Sequence, residues 1–159
     1  MVSIAAVPKL CPCTSGERYA TCCRPYHRGE REPDSPLLLM RSRFAAFALG
    51  DAGYLVRTLH RSHAERAVPE HELVRDLKAG IRGLKFMRLE VLDAKGAHVL
   101  FLASVFEKGE DRSFIELSTF AHDGGAWRYL AGAVRGAHEK PRPAELTIDA
   151  LLATVPKRR

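Results

Sequence analysis

The chain has 159 residues, 46% hydrophobic and 28% charged, with a formal net charge of +6. That composition gives one ordinary domain its own core and excludes a scaffold that depends on disulfides to fold. No apolar run approaches the roughly 18 residues needed to cross a bilayer, so no membrane span is expected. The positive charge is spread thinly, with only the terminal KRR dense, so a solvated basic face is expected rather than a nucleic-acid stripe.

The opening MVSIAAVPKL has no basic leader and too few apolar residues before Pro8 for a secretory signal, so the expected setting is the cytoplasm. Thiols stay reduced there and cluster chiefly as metal ligands. All four cysteines of the chain, Cys11, Cys13, Cys22 and Cys23, fall in the run LCPCTSGERYATCC. One residue between Cys11 and Cys13 keeps both thiolates on one side of a tight turn stiffened by Pro12. TSGER reverses the chain, with Gly16 free to take positive φ, and RYATCC can form one helical turn that brings the second pair back. Structural zinc takes four such soft ligands in a tetrahedron. Zinc is the expected ion, and iron suits four thiolates as well. Lys9, Arg18 and Arg24 are placed to offset the negative charge, and His27 is the reserve fourth ligand. Two other readings stay open: a redox thiol pair, and two disulfides in which a Cys22–Cys23 bridge would be strained.

The charged segment 28–36, RGEREPDSP, reads as a linker. It divides residues 1–33, the metal-binding unit, from a domain over 34–137 and a tail over 138–159. A helix should start at Ser35 as N-cap with Pro36 in its first turn, place Leu37, Met40, Phe44 and Phe47 on one face, and stop at Gly50. Residues 51–60, capped by Asp51, and 69–81, entered at Pro69, read as a second and a third helix. After Gly83 four segments of seven to ten residues, punctuated by AKG, EKGED and DGG, read as an antiparallel meander, and the one at 98–106 is apolar on both faces and should be central. Helices first and strands afterwards indicate an α+β domain with helices on one side of the sheet. In the tail, Ile148, Leu151, Leu152 and Val155 would share one helical face, so the segment reads either as a last packed helix or as a loosely held stretch that docks elsewhere.

CPCTSGERYATCC resembles the SEC-C motif, a metal-binding appendage of the SecA translocase motor and of several small bacterial proteins. The resemblance assigns the ligands to Cys11, Cys13, Cys22 and Cys23, with Ser15, Gly16 and Tyr19 as framework. Thr14 stands where the motif usually has glycine. Beyond the motif, CCRPYHRG, LLLMRSRFAAFALGDAGYLVRTLH and ELSTF…WRYLAG are similar to the YchJ family, in which a SEC-C motif precedes a nuclear-transport-factor-2-like domain. The likeness covers most of residues 11–132. It implies a cystatin-type cone, three helices packed on a curved antiparallel sheet with a cavity at the open end, and it supplies no reaction.

By strand alternation Phe114, Glu116, Ser118 and Phe120 share one face, and Trp127 and Tyr129 share one face of the next strand. If these line the concave side, Glu116 is a carboxylate among aromatics, with Arg41 or Arg43, His60, Tyr54 and Trp127 as cavity candidates. Glu116 would then be a general acid or base, by fold-level analogy with cone-shaped isomerases and dehydratases. The plainer reading pairs Glu116 with Arg41 or Arg43 to lock helix to sheet and leaves Trp127 in the core. His60, His63 and His71 read as exposed helix-end residues. The expected function is a non-enzymatic adapter whose zinc knuckle, through Arg18, Tyr19, Arg24 and Tyr26, docks a protein partner such as ribosome or export machinery. The alternatives are small-molecule binding or lyase/isomerase activity in the cone, and a thiol-redox or iron-handling protein.

Overall fold

Ser35 opens the longest helix as its spacing requires: in the computed structural model, which describes residues 9–154, its Oγ accepts from Leu38 N–H at 3.2 Å. This helix, α2 (Pro36–Leu49), follows a four-residue α1 (Arg24–His27) and ends at Gly50, whose φ is 73°. Leu37, Met40 and Phe44 lie on the expected face and pack against the sheet. The helix nevertheless has almost no solvent side, since only Leu49 of its residues is exposed. Asp51 caps α3 (Ala52–Arg57) through Tyr54 N–H at 3.0 Å. The sequence predicts a helix as far as residue 60, but α3 stops at Arg57. Beyond it the backbone joins the sheet: Tyr129 N–H donates to Thr58 O and His60 N–H donates to Tyr129 O, both at 2.8 Å. Helix α4 (Glu70–Ile81) follows Pro69 and buries Leu73.

The meander forms one antiparallel sheet in the order β1 (Leu84–Lys95), β2 (His98–Glu107), β4 (Phe114–Asp123), β5 (Ala126–Gly136). A two-residue β3 (Glu110–Asp111) pairs beside β2. Register shifts along β1, and opposite Thr119 and Phe120 on β5, insert extra residues that bend the strands and curve the sheet around α2. Strand β2 is central and buried on both faces, with Val99 and Phe101 turned to the helices and Leu100 to the other side. The result is an α+β cone of three helices on a curved antiparallel sheet.

The tail covers the middle of the outer face of the sheet. Leu146 and Ile148 are buried against Leu100, Ile115 and Leu117. Ile148 N–H, at the start of α5 (Ile148–Thr154), donates to Asp93 Oδ2 at 3.0 Å. Leu151 is half-buried, whereas Leu152 is exposed, contrary to the expected stripe. Val155, the terminal KRR and residues 1–8 fall outside the described residues. No helix among the described residues is long and apolar enough to cross a membrane.

Replacing Ile148 with Ala removes a side chain that is 1% exposed. The expected loss is about 2–5 kcal/mol of unfolding free energy, as for other buried aliphatic truncations. Urea denaturation measures it, and an unchanged midpoint would show that the tail is not part of the folded unit.

Candidate metal centre

The turn at Cys11–Thr14 is closed by Thr14 N–H to Cys11 O at 3.1 Å, and Cys11 N–H returns to Glu17 O at 2.8 Å. Gly16 has φ 86°, which lets TSGER double back. The second pair does not sit on one helical turn as expected. Cys22 ends a 3-10 turn (Tyr19–Thr21) and Cys23 begins α1, so the chain kinks between them. That kink resolves the difficulty of adjacent ligands, whose side chains would diverge on a strand. All four sulfurs lie within 4.8 Å of one another. Cys13 Sγ is 3.6 Å from Cys22 Sγ, and Cys22 Sγ is 3.9 Å from Cys23 Sγ. A tetrahedron with Zn–S near 2.3 Å has an S···S edge of about 3.8 Å. The spacing fits a four-thiolate ion and is far too long for a disulfide.

Cys11, Cys13 and Cys23 are buried and Cys22 is half-buried. Crowding makes their protons interdependent. Hydrogen bonds from the thiols of Cys11 and then Cys23 hold the Cys13 thiol far below its usual range. The Cys11 thiol, bonded to Cys13, is pushed up to about 12, and Cys23, bonded to Cys11 and Cys13, is pushed up as well. Four bare thiolates would repel one another here, and a divalent cation would supply the charge that lets all four sulfurs ligate together.

The knuckle is seated on the cone by polar contacts that cysteine spacing alone does not reveal. Thr14 takes a left-handed backbone, φ 61°. Its hydroxyl accepts from Leu89 N–H at 3.0 Å and donates to Leu89 O at 3.1 Å, gripping strand β1. Arg41 Nη1 donates to Cys13 O at 3.4 Å, so this arginine belongs to the knuckle and not to the cavity. His27 is not a ligand. Its Nε2–H donates to Ser42 O and its Nδ1 accepts from Tyr19 O–H, both at 2.7 Å, which uses both ring nitrogens. Burial pushes its pKa down, in keeping with that neutral form. Tyr54 also leaves the cavity: its hydroxyl meets Ser42 Oγ at 2.6 Å under the knuckle.

Of the remaining cavity candidates, Arg43 and Glu116 do converge on the helix-covered face, with Tyr129 between them. Tyr129 O–H donates to Glu116 Oε1, and Arg43 lies over the Tyr129 ring, 4.5 Å from its centroid. The expected Glu116–arginine contact is therefore relayed through a tyrosine. Gly132 makes room for it, since a Cβ there would sit 1.7 Å from Glu116 Oε1. His60 is turned away, with Nε2 donating to His122 O at 3.2 Å. Trp127 lies outside the cavity lining: it packs half-buried against the main core cluster, as the plainer reading has it, and against His122, ring centroids 3.9 Å apart. His63 lines the cavity instead, because the strand-like pairing of residues 58–60 redirects the chain after α3. No periodicity in the sequence signals that turn.

Residues 35–132 match the family model described as the middle NTF2-like domain of YchJ. A UPF0225 protein of Deinococcus radiodurans is 41% identical over 126 residues, 79% of this chain and 89% of that protein. The UPF0225 protein YchJ of Shigella dysenteriae is 38% identical over 130 residues, 78% of this chain and 82% of the relative. The solution structure of a SEC-C motif containing protein from Rhodopseudomonas palustris superposes with a TM-score of 0.64 at 34% identity, over 77% of this chain and 96% of that one. A crystal structure of a SEC-C motif containing protein from Psychrobacter arcticus shares the fold, with a TM-score of 0.60 at 20% identity, over 84% and 88% of the two chains.

Two substitutions separate the grip of Thr14 from its backbone strain. A β-branched residue in the left-handed region costs about 1–2 kcal/mol, and two hydrogen bonds return about 1 kcal/mol each. Thr14→Val should therefore lower unfolding free energy by about 2 kcal/mol, while Thr14→Gly, which loses bonds and strain together, should stay near the parent. Equal melting of the valine variant and the parent would remove the grip from the account.

Burial raises the Glu116 carboxyl pKa above its ordinary 4.5, against the hydrogen bond from Tyr129. The folded protein thus keeps this proton at pH values where the unfolded chain has released it, and stability falls as pH rises through the folded value. Glu116→Gln, which keeps an acceptor for Tyr129, should be more stable than the parent in mildly alkaline buffer. The gain should vanish below the ordinary value. A pH-independent difference in chemical denaturation would assign the effect to packing alone.

Proposed function

This chain belongs to the YchJ family, and we propose that it is a zinc-binding, non-enzymatic adapter whose knuckle docks a protein partner. The observation that carries the zinc reading is the near-tetrahedral spacing of four sulfurs in a closed, largely buried site. Closed four-thiolate sites are structural, and zinc is redox-silent there. Burial of Cys11, Cys13 and Cys23 speaks against a redox sensor, which needs an exposed, low-pKa thiol. Bound at Cys11, Cys13, Cys22 and Cys23, zinc would tie the two turns of the knuckle together and supply no reactive position.

The residues that the knuckle exposes differ from those expected. Tyr19 and Tyr26 are buried, each 8% exposed, and serve the interior. Lys9, Leu10 and Thr14–Arg18 form the exposed outer edge, where Leu10 is 63% exposed beside basic Lys9 and Arg18. An exposed leucine on a rigid, basic loop suits an apolar notch with an acidic rim on a partner protein. Neither the fold nor the relatives singles out ribosome or export machinery as that partner.

Anaerobically purified protein should carry one zinc per chain and no freely reactive thiol. Cys13→Ser or chelation should expose the knuckle to protease while the cone keeps its own unfolding transition. Leu10→Asp should retain zinc and lose partner capture. Metal-free protein with four reactive thiols would defeat the zinc reading, and capture indifferent to both Leu10→Asp and chelation would defeat the docking reading.

A further inference from the structure

Between the helices and the sheet lies a cavity of about 310 Å³. Phe44, Phe47 and Leu77 wall it from the helices, and Phe86, Phe101 and Phe114 from the sheet. Its polar lining comes from Arg43, Glu116 and Tyr129, with His63 and the exposed Glu65. Arg43 is only 5% exposed. Its Nη1 donates to Leu55 O at 2.8 Å and Thr58 Oγ1 at 2.6 Å, and its flat face rests on the Tyr129 ring.

Among the described residues no carboxylate lies within 4.0 Å of the Arg43 guanidinium, and Nε and Nη2 make no hydrogen bond. A buried cation is costly unless it is paired. Nε and Nη2 together form the side-on fork that takes a carboxylate in two parallel bonds. Arg61 turns the same two nitrogens on the Asp123 carboxylate, both onto Oδ1, with Nε at 2.7 Å. In Arg43 the fork is unspent, on a residue that lines a cavity walled by phenylalanines.

We propose that the cone cavity binds a small monocarboxylic acid with an aromatic or branched apolar body, its carboxylate on the Nε/Nη2 fork of Arg43 and its body among the phenylalanines. At roughly 30 Å³ per water-sized group, the space holds about ten non-hydrogen atoms, which is the size of phenylacetate. Burial that favours the protonated Glu116 carboxyl reduces the repulsion an entering carboxylate meets. This site is independent of the zinc reading: it involves none of the four cysteines, and its test can fail while zinc binding stands.

The zinc-loaded protein is titrated by calorimetry and thermal shift with phenylacetate, isovalerate and the uncharged analogue 2-phenylethanol. The acids should bind and raise the melting temperature, with the alcohol at least tenfold weaker than phenylacetate. Arg43→Lys keeps the charge but loses the fork and should weaken phenylacetate at least tenfold. Leu77→Trp fills the cavity from α4, leaves Arg43 untouched and should abolish binding. Absence of binding at millimolar phenylacetate, equal affinity for acid and alcohol, or unaltered binding by Leu77→Trp would each overturn the proposal. If Arg43→Lys does not fold, the acid–alcohol comparison and Leu77→Trp decide alone.

Discussion

Helix α2 has nowhere to put a polar side chain in water along most of its length, and the rest of the molecule is arranged around that fact. One side of it meets the curved sheet through Leu39, Met40 and Phe44. The other meets the knuckle, where Ala45 packs against the cysteine cluster. Every polar group that α2 carries inward must therefore find a partner in a neighbouring element. Ser42 finds it in Tyr54, its carbonyl in His27, and Nη1 of Arg43 in the carbonyl of Leu55 and the hydroxyl of Thr58, which leaves Nε and Nη2 to the cavity. The helix thereby joins two units that a linear reading separates.

The same constraint explains why the metal centre is not a dangling appendage. Four thiols brought this close would scatter on ionising without a cation, so a bound ion would fix the internal shape of the knuckle. Such an ion would do nothing to fix the knuckle on the cone. That falls to Thr14 on the edge of β1, Arg41 on Cys13 O, and the Tyr19–His27–Ser42 chain. Thr14 also blunts an edge strand that would otherwise offer free backbone groups to another chain. The departure from the usual glycine thus has a structural use: the hydroxyl gives something that glycine lacks, at the cost of a strained backbone.

Periodicity and capping chemistry made the helices and strands legible, because Ser35, Asp51 and the alternation of β2 and β4 act within a few residues. The four cysteines were legible for the same reason. What the sequence left ambiguous depends on rotation and long-range pairing. Arg41 and Arg43 are two positions apart, about 200° around a helix, so only one can face the sheet, and nothing local says which. His60 was misplaced because the pairing of residues 58–60 with Tyr129 is a tertiary event. Tyr19, Tyr26 and Tyr54 looked available for docking or for the cavity, yet each is taken by the seam between knuckle and helices.

The central claim is that four sulfurs, and no other ligand, hold one zinc ion at the knuckle. Zinc K-edge X-ray absorption on protein purified without oxygen reads the first coordination shell directly. The account predicts four sulfur scatterers at about 2.3 Å and no light-atom ligand. A shell that includes nitrogen from His27, fewer than four sulfurs, or an iron edge in place of zinc would contradict it.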